Sequence, residues 1–111
     1  MKYQYADAIN IHYEAVQKAK EATQSYLDEH GDGERDVCGF AWVKIGPATS
    51  SFCRALKKAG VRNSSWNGGY VVWNPSGHPT QNISSKEAGA TAYADHLSDN
   101  GIRCFAQSRL D

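Results

Sequence analysis

The chain lacks most of the features that mark a secreted, membrane-spanning or metal-binding protein. It has only three cysteines, Cys38, Cys53 and Cys104, and their spacing matches no metal or redox motif. No stretch approaches the roughly 18 apolar residues that a membrane span needs. Residues 1–4 lead straight into an amphipathic pattern, so we expect no signal peptide. These absences predict a cytoplasmic protein with reduced cysteines, no bound metal and no membrane association.

An excess of charge of one sign is also lacking. Twelve basic and twelve acidic residues give a formal net charge of zero. Without a surplus of Lys and Arg, the composition gives no general argument for a nucleic-acid partner, although neutrality does not exclude a local basic patch. A low net charge weakens the repulsion between copies and so favours self-association, including a homodimer.

Catalytic signatures are missing too. The sequence has no Walker A loop, no dinucleotide-binding glycine fingerprint, no His-Glu-x-x-His and no Gly-x-Ser-x-Gly. The sequence therefore favours a role without enzymatic activity and implies no cofactor.

What the chain does have is the pattern of one small domain that covers residues 1–111. A first helix is predicted over about residues 5–30, because Tyr5, Ile9 and Tyr13 begin an apolar stripe at steps of three and four. At about 1.5 Å per residue this helix reaches nearly 40 Å. We expect part of it to extend beyond the core or to pack on a second copy.

The rest of the chain alternates strands with helices. Short apolar runs predict strands at about 38–45, 70–73 and 102–107, and amphipathic segments predict helices at about 47–59 and 84–98. The order α-β-α-β-α-β predicts an α/β domain in which a small, three-stranded, mostly parallel sheet packs with three helices. The helices can divide between the two faces or lie on one. In the second case the open face would expose some of Phe40, Trp42, Tyr70 or Trp73, and Phe105.

Parallel strands would bring polar residues together at one edge of this sheet. The start of the second helix offers hydroxyls and free N–H groups, Arg109 offers a clamp for an anion, and His78 offers an acid or base. The candidate ligand residues are Thr49, Ser50, Ser51, Asn74, Ser76, His78, Gln81, Asn82 and Arg109. The alternative is purely structural, with helix caps at Ser50 and Ser51 and a simple turn after Asn74.

Aromatic residues are the second group of candidates. The candidate interface residues are Tyr5, Tyr13, Trp42, Trp66 and Trp73. Aromatic rings on an open sheet can also stack on nucleobases, but such sites normally have a basic surround. Because the overall charge supplies none, core packing or a protein interface is favoured.

Three groups of residues carry a resemblance to known proteins: Cys-Gly-Phe-Ala-Trp-Val at 38–43, Asn-Pro-Ser-Gly-His at 74–78 and Lys-Glu-Ala-Gly-Ala at 86–90. The ending Ser-Arg-Leu-Asp at 108–111 agrees with them. In these segments the chain resembles a family of small proteins encoded by tailed bacteriophages. The resemblance implies an accessory phage product in the bacterial cytoplasm, and it brings no catalytic residues.

Three functions follow as hypotheses. The first is a non-enzymatic binding module that acts on a host or phage protein or on a second copy of itself. The second is a binder of a small anionic ligand or nucleotide, or an enzyme, using the polar edge of the sheet. Single-stranded nucleic-acid binding is the least favoured of the three.

Overall fold

The computed structural model describes residues 3–30, 39–47, 49–61, 64–66, 69–77 and 83–110, with the backbone alone for residues 64–66. Within these ranges the elements are α1 (Tyr5–His30), β1 (Gly39–Ile45), α2 (Ser51–Lys58), β2 (Ser64–Trp66), β3 (Gly69–Trp73), α3 (Ile83–Asp99) and β4 (Cys104–Leu110). The predicted mixture of helices and strands is confirmed. The short strand β2 was not predicted.

The sheet is antiparallel, with the strand order β2-β3-β1-β4. The prediction of a mostly parallel sheet is therefore wrong. Helices α2 and α3 do connect strands that run in the same direction, β1 to β2 and β3 to β4. In both cases another strand lies between the two, so every hydrogen-bonded pair is antiparallel. From β1 onward, the element order β-α-β-β-α-β is that of ferredoxin-like domains.

All three helices lie on one side of this sheet. Along β1, Ala41, Val43 and Ile45 belong to the core that the helices cover. Because successive side chains of a strand point to opposite faces, Phe40, Trp42 and Lys44 lie on the other face. Of the two arrangements left open by the sequence, the structure has the one in which the described helices leave one sheet face uncovered along β1 and β4, although Val71 of β3 is buried on that face.

Helix α1 packs along α3 with the opposite direction. Near its middle, His12 Nδ1 lies 2.7 Å from the Tyr93 hydroxyl, and further on the Thr23 hydroxyl donates to the Ser85 carbonyl at 2.8 Å. Gly89 permits this close approach, because a Cβ atom there would lie 2.5 Å from Thr23 Oγ1. The buried residues of α1 end at Thr23, so its last turn extends beyond the core. None of the described helices is both long enough and apolar enough to span a membrane.

Candidate functional site

The antiparallel pairing separates the residues that were predicted to form one polar edge. Ser50 and Ser51 follow the end of β1. Asn74 lies beside the other end of the same strand, where its N–H donates to the Ala41 carbonyl at 2.9 Å. Arg109 is also at that end, opposite Phe40. Four strand residues, about 13 Å, separate the two groups, so the structure does not bring them together.

The hydroxyls at the start of α2 form helix caps and tertiary contacts. Ser50 is the N-cap, and its hydroxyl accepts a hydrogen bond from the Cys53 N–H at 3.2 Å. The Ser51 hydroxyl accepts one from the Tyr3 N–H at 2.9 Å. Thr49 is exposed. This is the structural alternative that the sequence left open for these positions.

The turn after β3 holds Asn74 and Ser76 in a similar way. Asn74 has a positive φ of 41°, and its carbonyl accepts a hydrogen bond from the Gly77 N–H at 2.8 Å. The buried Ser76 hydroxyl donates to Asn74 Oδ1 at 3.3 Å. The remaining predicted ligand residues, His78, Gln81 and Asn82, lie outside the described residues.

The open face of the sheet is the larger candidate site. Two neighbouring strands present three side chains each, and the pairs that face one another across β1 and β4 are Lys44 with Phe105, Trp42 with Gln107, and Phe40 with Arg109. On the other side of β1, Trp73 of β3 lies opposite Trp42. We call this set of residues, together with Arg103 just before β4, the open face.

Three aromatic rings of the open face are accessible. Phe40 is 39% exposed, Trp73 48% and Phe105 54%. Trp42 is only 6% exposed, because it packs at 4.9 Å between ring centroids against Trp73, and its Nε1–H donates to Gln107 Oε1 at 2.9 Å. Trp42 is therefore packed within the open face, while the rings of Phe40, Trp73 and Phe105 are accessible at its surface.

The remaining predicted interface residues have other positions. Tyr5 and Tyr13 are exposed, but both lie on α1, in the helix layer and away from the open face. Trp66 is in β2, and its side chain is outside the described part of the structure.

Charge is divided between the two sides of the domain. In the described part of the chain every carboxylate side chain lies on α1 or α3, namely Asp7, Glu14, Glu21, Asp28, Glu29, Glu87, Asp95 and Asp99. The open face instead carries Lys44, Arg103 and Arg109. Among the described residues no carboxylate forms a salt bridge with Arg103 or Arg109. The described sheet face is thus basic, while the carboxylates are confined to α1 and α3, and α2 carries the cations Arg54, Lys57 and Lys58.

A groove of about 680 Å³ lies where β1 ends, with Lys44, Arg103, Phe105 and Gln107 in its lining. The Lys44 stem lies across Gly69, since a Cβ atom there would be 2.5 Å from Lys44 Cε. The Arg103 guanidinium carbon lies 5.9 Å from the centre of the Phe105 ring. The groove has the size of a cleft for a small ligand and combines two cations with one stacking surface.

The groups with shifted pKa values lie away from this face. Burial lowers the pKa of His12 to about 4, and burial raises the pKa values of the Cys53 and Cys104 thiols. A thiol with a raised pKa is protonated and unreactive at neutral pH. Among the described residues, no three His, Cys, Asp or Glu side chains are grouped so that they could hold a metal ion. The described residues of the open face can therefore bind a ligand by stacking, by hydrogen bonding and through their positive charge.

Sequence reasoning missed Lys44, Arg103 and Gln107 as functional candidates. Two signals were available. Residues 37–86 contain no Asp or Glu, although the whole chain is neutral. In addition, alternate positions of β1 and β4 carry aromatic, amide and basic side chains, and period two marks one face of a strand. The overall net charge of zero hid the first of these signals.

No protein-family model matches the chain, and comparisons with curated proteins and with solved structures also find no match. The resemblance to small phage-encoded proteins consequently stays a prediction.

Proposed function

We propose that this protein is a non-enzymatic binding module, of the accessory kind that the phage resemblance implies, and that its open face binds single-stranded nucleic acid. The observation that supports this most is the composition of that face. It combines three exposed aromatic rings with three cationic side chains, and none of its described residues is acidic.

Three exposed rings of the open face can stack on nucleobases. The rings of Phe40, Trp73 and Phe105 are accessible to a base that is not already paired and stacked within a duplex. Each base that stacks on a ring contributes about 1–3 kcal/mol, with little dependence on sequence. Four-stranded sheets with aromatic rings on an open face are one established way of binding single-stranded RNA, and the likeness here is one of architecture alone.

Positive charge lies at both ends of the open face. Lys44 and Arg103 flank Phe105 at one end of the open face, and Arg109 lies 5.8 Å from the Phe40 ring at the other. Cations that alternate with rings can contact phosphates while bases stack between them. A binding site for one small anion would need only one of these groups.

A protein partner was the first hypothesis from the sequence, and it stays a prediction. An acidic protein segment would also satisfy the three cations. Nucleic acid is favoured because two of the three exposed rings have a guanidinium group nearby, Arg109 near Phe40 and Arg103 near Phe105, so that phosphates can be contacted while bases stack. The test below separates the two.

The test is fluorescence anisotropy with a labelled oligo(dT) of about 15 nucleotides, which can span a sheet of this size. Phe105→Ala should weaken binding by about 5- to 100-fold through the loss of one stacking contact. Tyr13→Ala is the matched control, because Tyr13 is 58% exposed but lies on α1, away from the open face. It should leave affinity unchanged.

Salt provides a second readout. If three cations contact phosphates, the logarithm of the association constant should fall with the logarithm of salt concentration with a slope of about −2, and Arg109→Gln should reduce that slope by about 0.7. The proposal fails if no binding is detected at low salt, or if Tyr13→Ala weakens binding as much as Phe105→Ala. Polyglutamate that competes equally well, with no effect of Phe105→Ala, would instead favour an acidic protein.

A further inference from the structure

Within the described residues, the edge of the sheet formed by β4 has no partner strand. Among these strands β4 pairs with β1 on one side only, and it is the last strand of the sheet. It is seven residues long, and every residue after Cys104 is exposed, including Phe105 at 54% and Leu110 at 65%. Edge strands are usually protected from pairing by proline, by a bulge or by charged side chains, above all lysine. β4 contains no proline or lysine, Arg109 is its one charged residue, and its pairing with β1 is regular throughout.

The sequence of β4 suits antiparallel pairing with a second copy of itself. Two identical antiparallel strands are related by a two-fold axis perpendicular to the sheet, so facing residues must lie on the same face of the sheet. The axis must therefore pass through a residue position. With the axis at Gln107, all seven residues of β4 are paired.

The chemistry of that register is also favourable. Phe105 faces Arg109 of the second copy on the open side, which joins a ring to a cation. On the helix side Cys104 faces Leu110, and the small residues Ala106 and Ser108 face each other. Each of these contacts occurs twice. An axis at Ala106 would instead set Arg103 against Arg109 of the other copy, and like charges directly opposite are destabilising.

We propose that two copies of this chain associate through β4, in the register centred on Gln107, to form one continuous eight-stranded sheet. The two-fold axis leaves both open faces on the same side. The dimer therefore has a single aromatic and basic surface of twice the size. The proposal rests on the edge of the sheet and holds whatever the open face binds.

The experiment is sedimentation equilibrium of the purified chain without nucleic acid, over a range of protein concentrations. The wild-type chain should dimerise. Phe105→Arg should weaken the dimer by at least about tenfold, because it sets two guanidinium groups opposite each other at both symmetric contacts. Phe105→Glu should keep the dimer, because a carboxylate then faces Arg109.

The double variant Phe105→Arg with Arg109→Glu restores opposite charges and should restore dimerisation. This rescue would show that the weaker dimer of Phe105→Arg results from the facing charges in this register and not from the loss of the exposed ring. A wild-type chain that remains monomeric at about millimolar concentration, far above common dissociation constants, overturns the proposal. A dimer that is equally stable in Phe105→Arg also overturns it, and circular dichroism shows that each variant is folded.

Discussion

Acidification should destabilise the fold through His12. This side chain is 5% exposed between α1 and α3, and its Nδ1 lies 2.7 Å from the Tyr93 hydroxyl. Burial lowers its pKa from 6.5 to about 4. In the unfolded chain the same imidazole is in water and takes up a proton near its ordinary pKa. The unfolded state therefore binds a proton over a pH range in which the folded state does not.

The sign and size of the effect follow from this difference. The contribution of neutral His12 to stability is complete above pH 6.5 and is lost as the pH falls toward 4. The difference amounts to about 3 kcal/mol between neutral pH and pH 4. Small domains have about 5–15 kcal/mol in total, so this loss should be a large part of the stability.

Urea unfolding followed by circular dichroism at several pH values would measure it. His12→Asn keeps a polar atom near the Nδ1 position but does not titrate, so the variant should be less stable at neutral pH and should lack the additional acid loss. His30→Asn is the control, because His30 is exposed in the last turn of α1. It should keep the wild-type pH dependence. An equal acid loss in wild type and His12→Asn would refute the reasoning.

Two further substitutions test the packing. Gly89→Ala should destabilise the fold by about 1–3 kcal/mol in urea unfolding, because its Cβ would lie 2.5 Å from Thr23 Oγ1 and force α1 and α3 apart; an unchanged midpoint would show that the two helices can separate without cost. Lys86→Met should cost a similar amount, about 1–3 kcal/mol, since the buried Lys86 amine donates to the Gly39 carbonyl at 2.8 Å. Lys18→Met, at an exposed position on α1, should be near neutral, and equal effects of the two lysine variants would contradict this account.

The elements of the fold could be predicted because their patterns are local. The apolar stripe of α1 and the β-branched and aromatic runs of β1 and β3 each follow the period of one element. Strand β2 is different, since Ser64–Trp66 is only three residues long and has too little length to display a period.

Strand direction could not be predicted for a related reason. A helix that connects two parallel strands does not determine whether the two strands are adjacent in the sheet. In this fold β3 lies between β1 and β2, and β1 lies between β3 and β4. Because β2 was not predicted, the reversal of chain direction between β2 and β3 was not predicted either. The remaining alternation of helices and strands then favoured a parallel sheet.

The candidate site could be predicted only in part from the sequence. The sequence predicted that an open face would expose some of five aromatic residues. Phe40, Trp73 and Phe105 are exposed there, whereas Trp42 is buried against Trp73 and Tyr70 belongs to the core. The sequence did not reveal the basic surround, because the carboxylates of α1 and α3 cancel the cations of the sheet in the total charge. Segregation of charge becomes visible only once each residue is assigned to a layer.

The central claim is that the open face binds single-stranded nucleic acid, and NMR mapping of bound oligo(dT) tests it most directly. Titration into ¹⁵N-labelled protein should shift the amide signals of β1, β3 and β4, together with the side-chain Nε1–H of Trp73. The amides on the outer side of α1, around Tyr13 and Lys18, should not move. Shifts confined to the helices, or no shifts at low salt, would contradict the account.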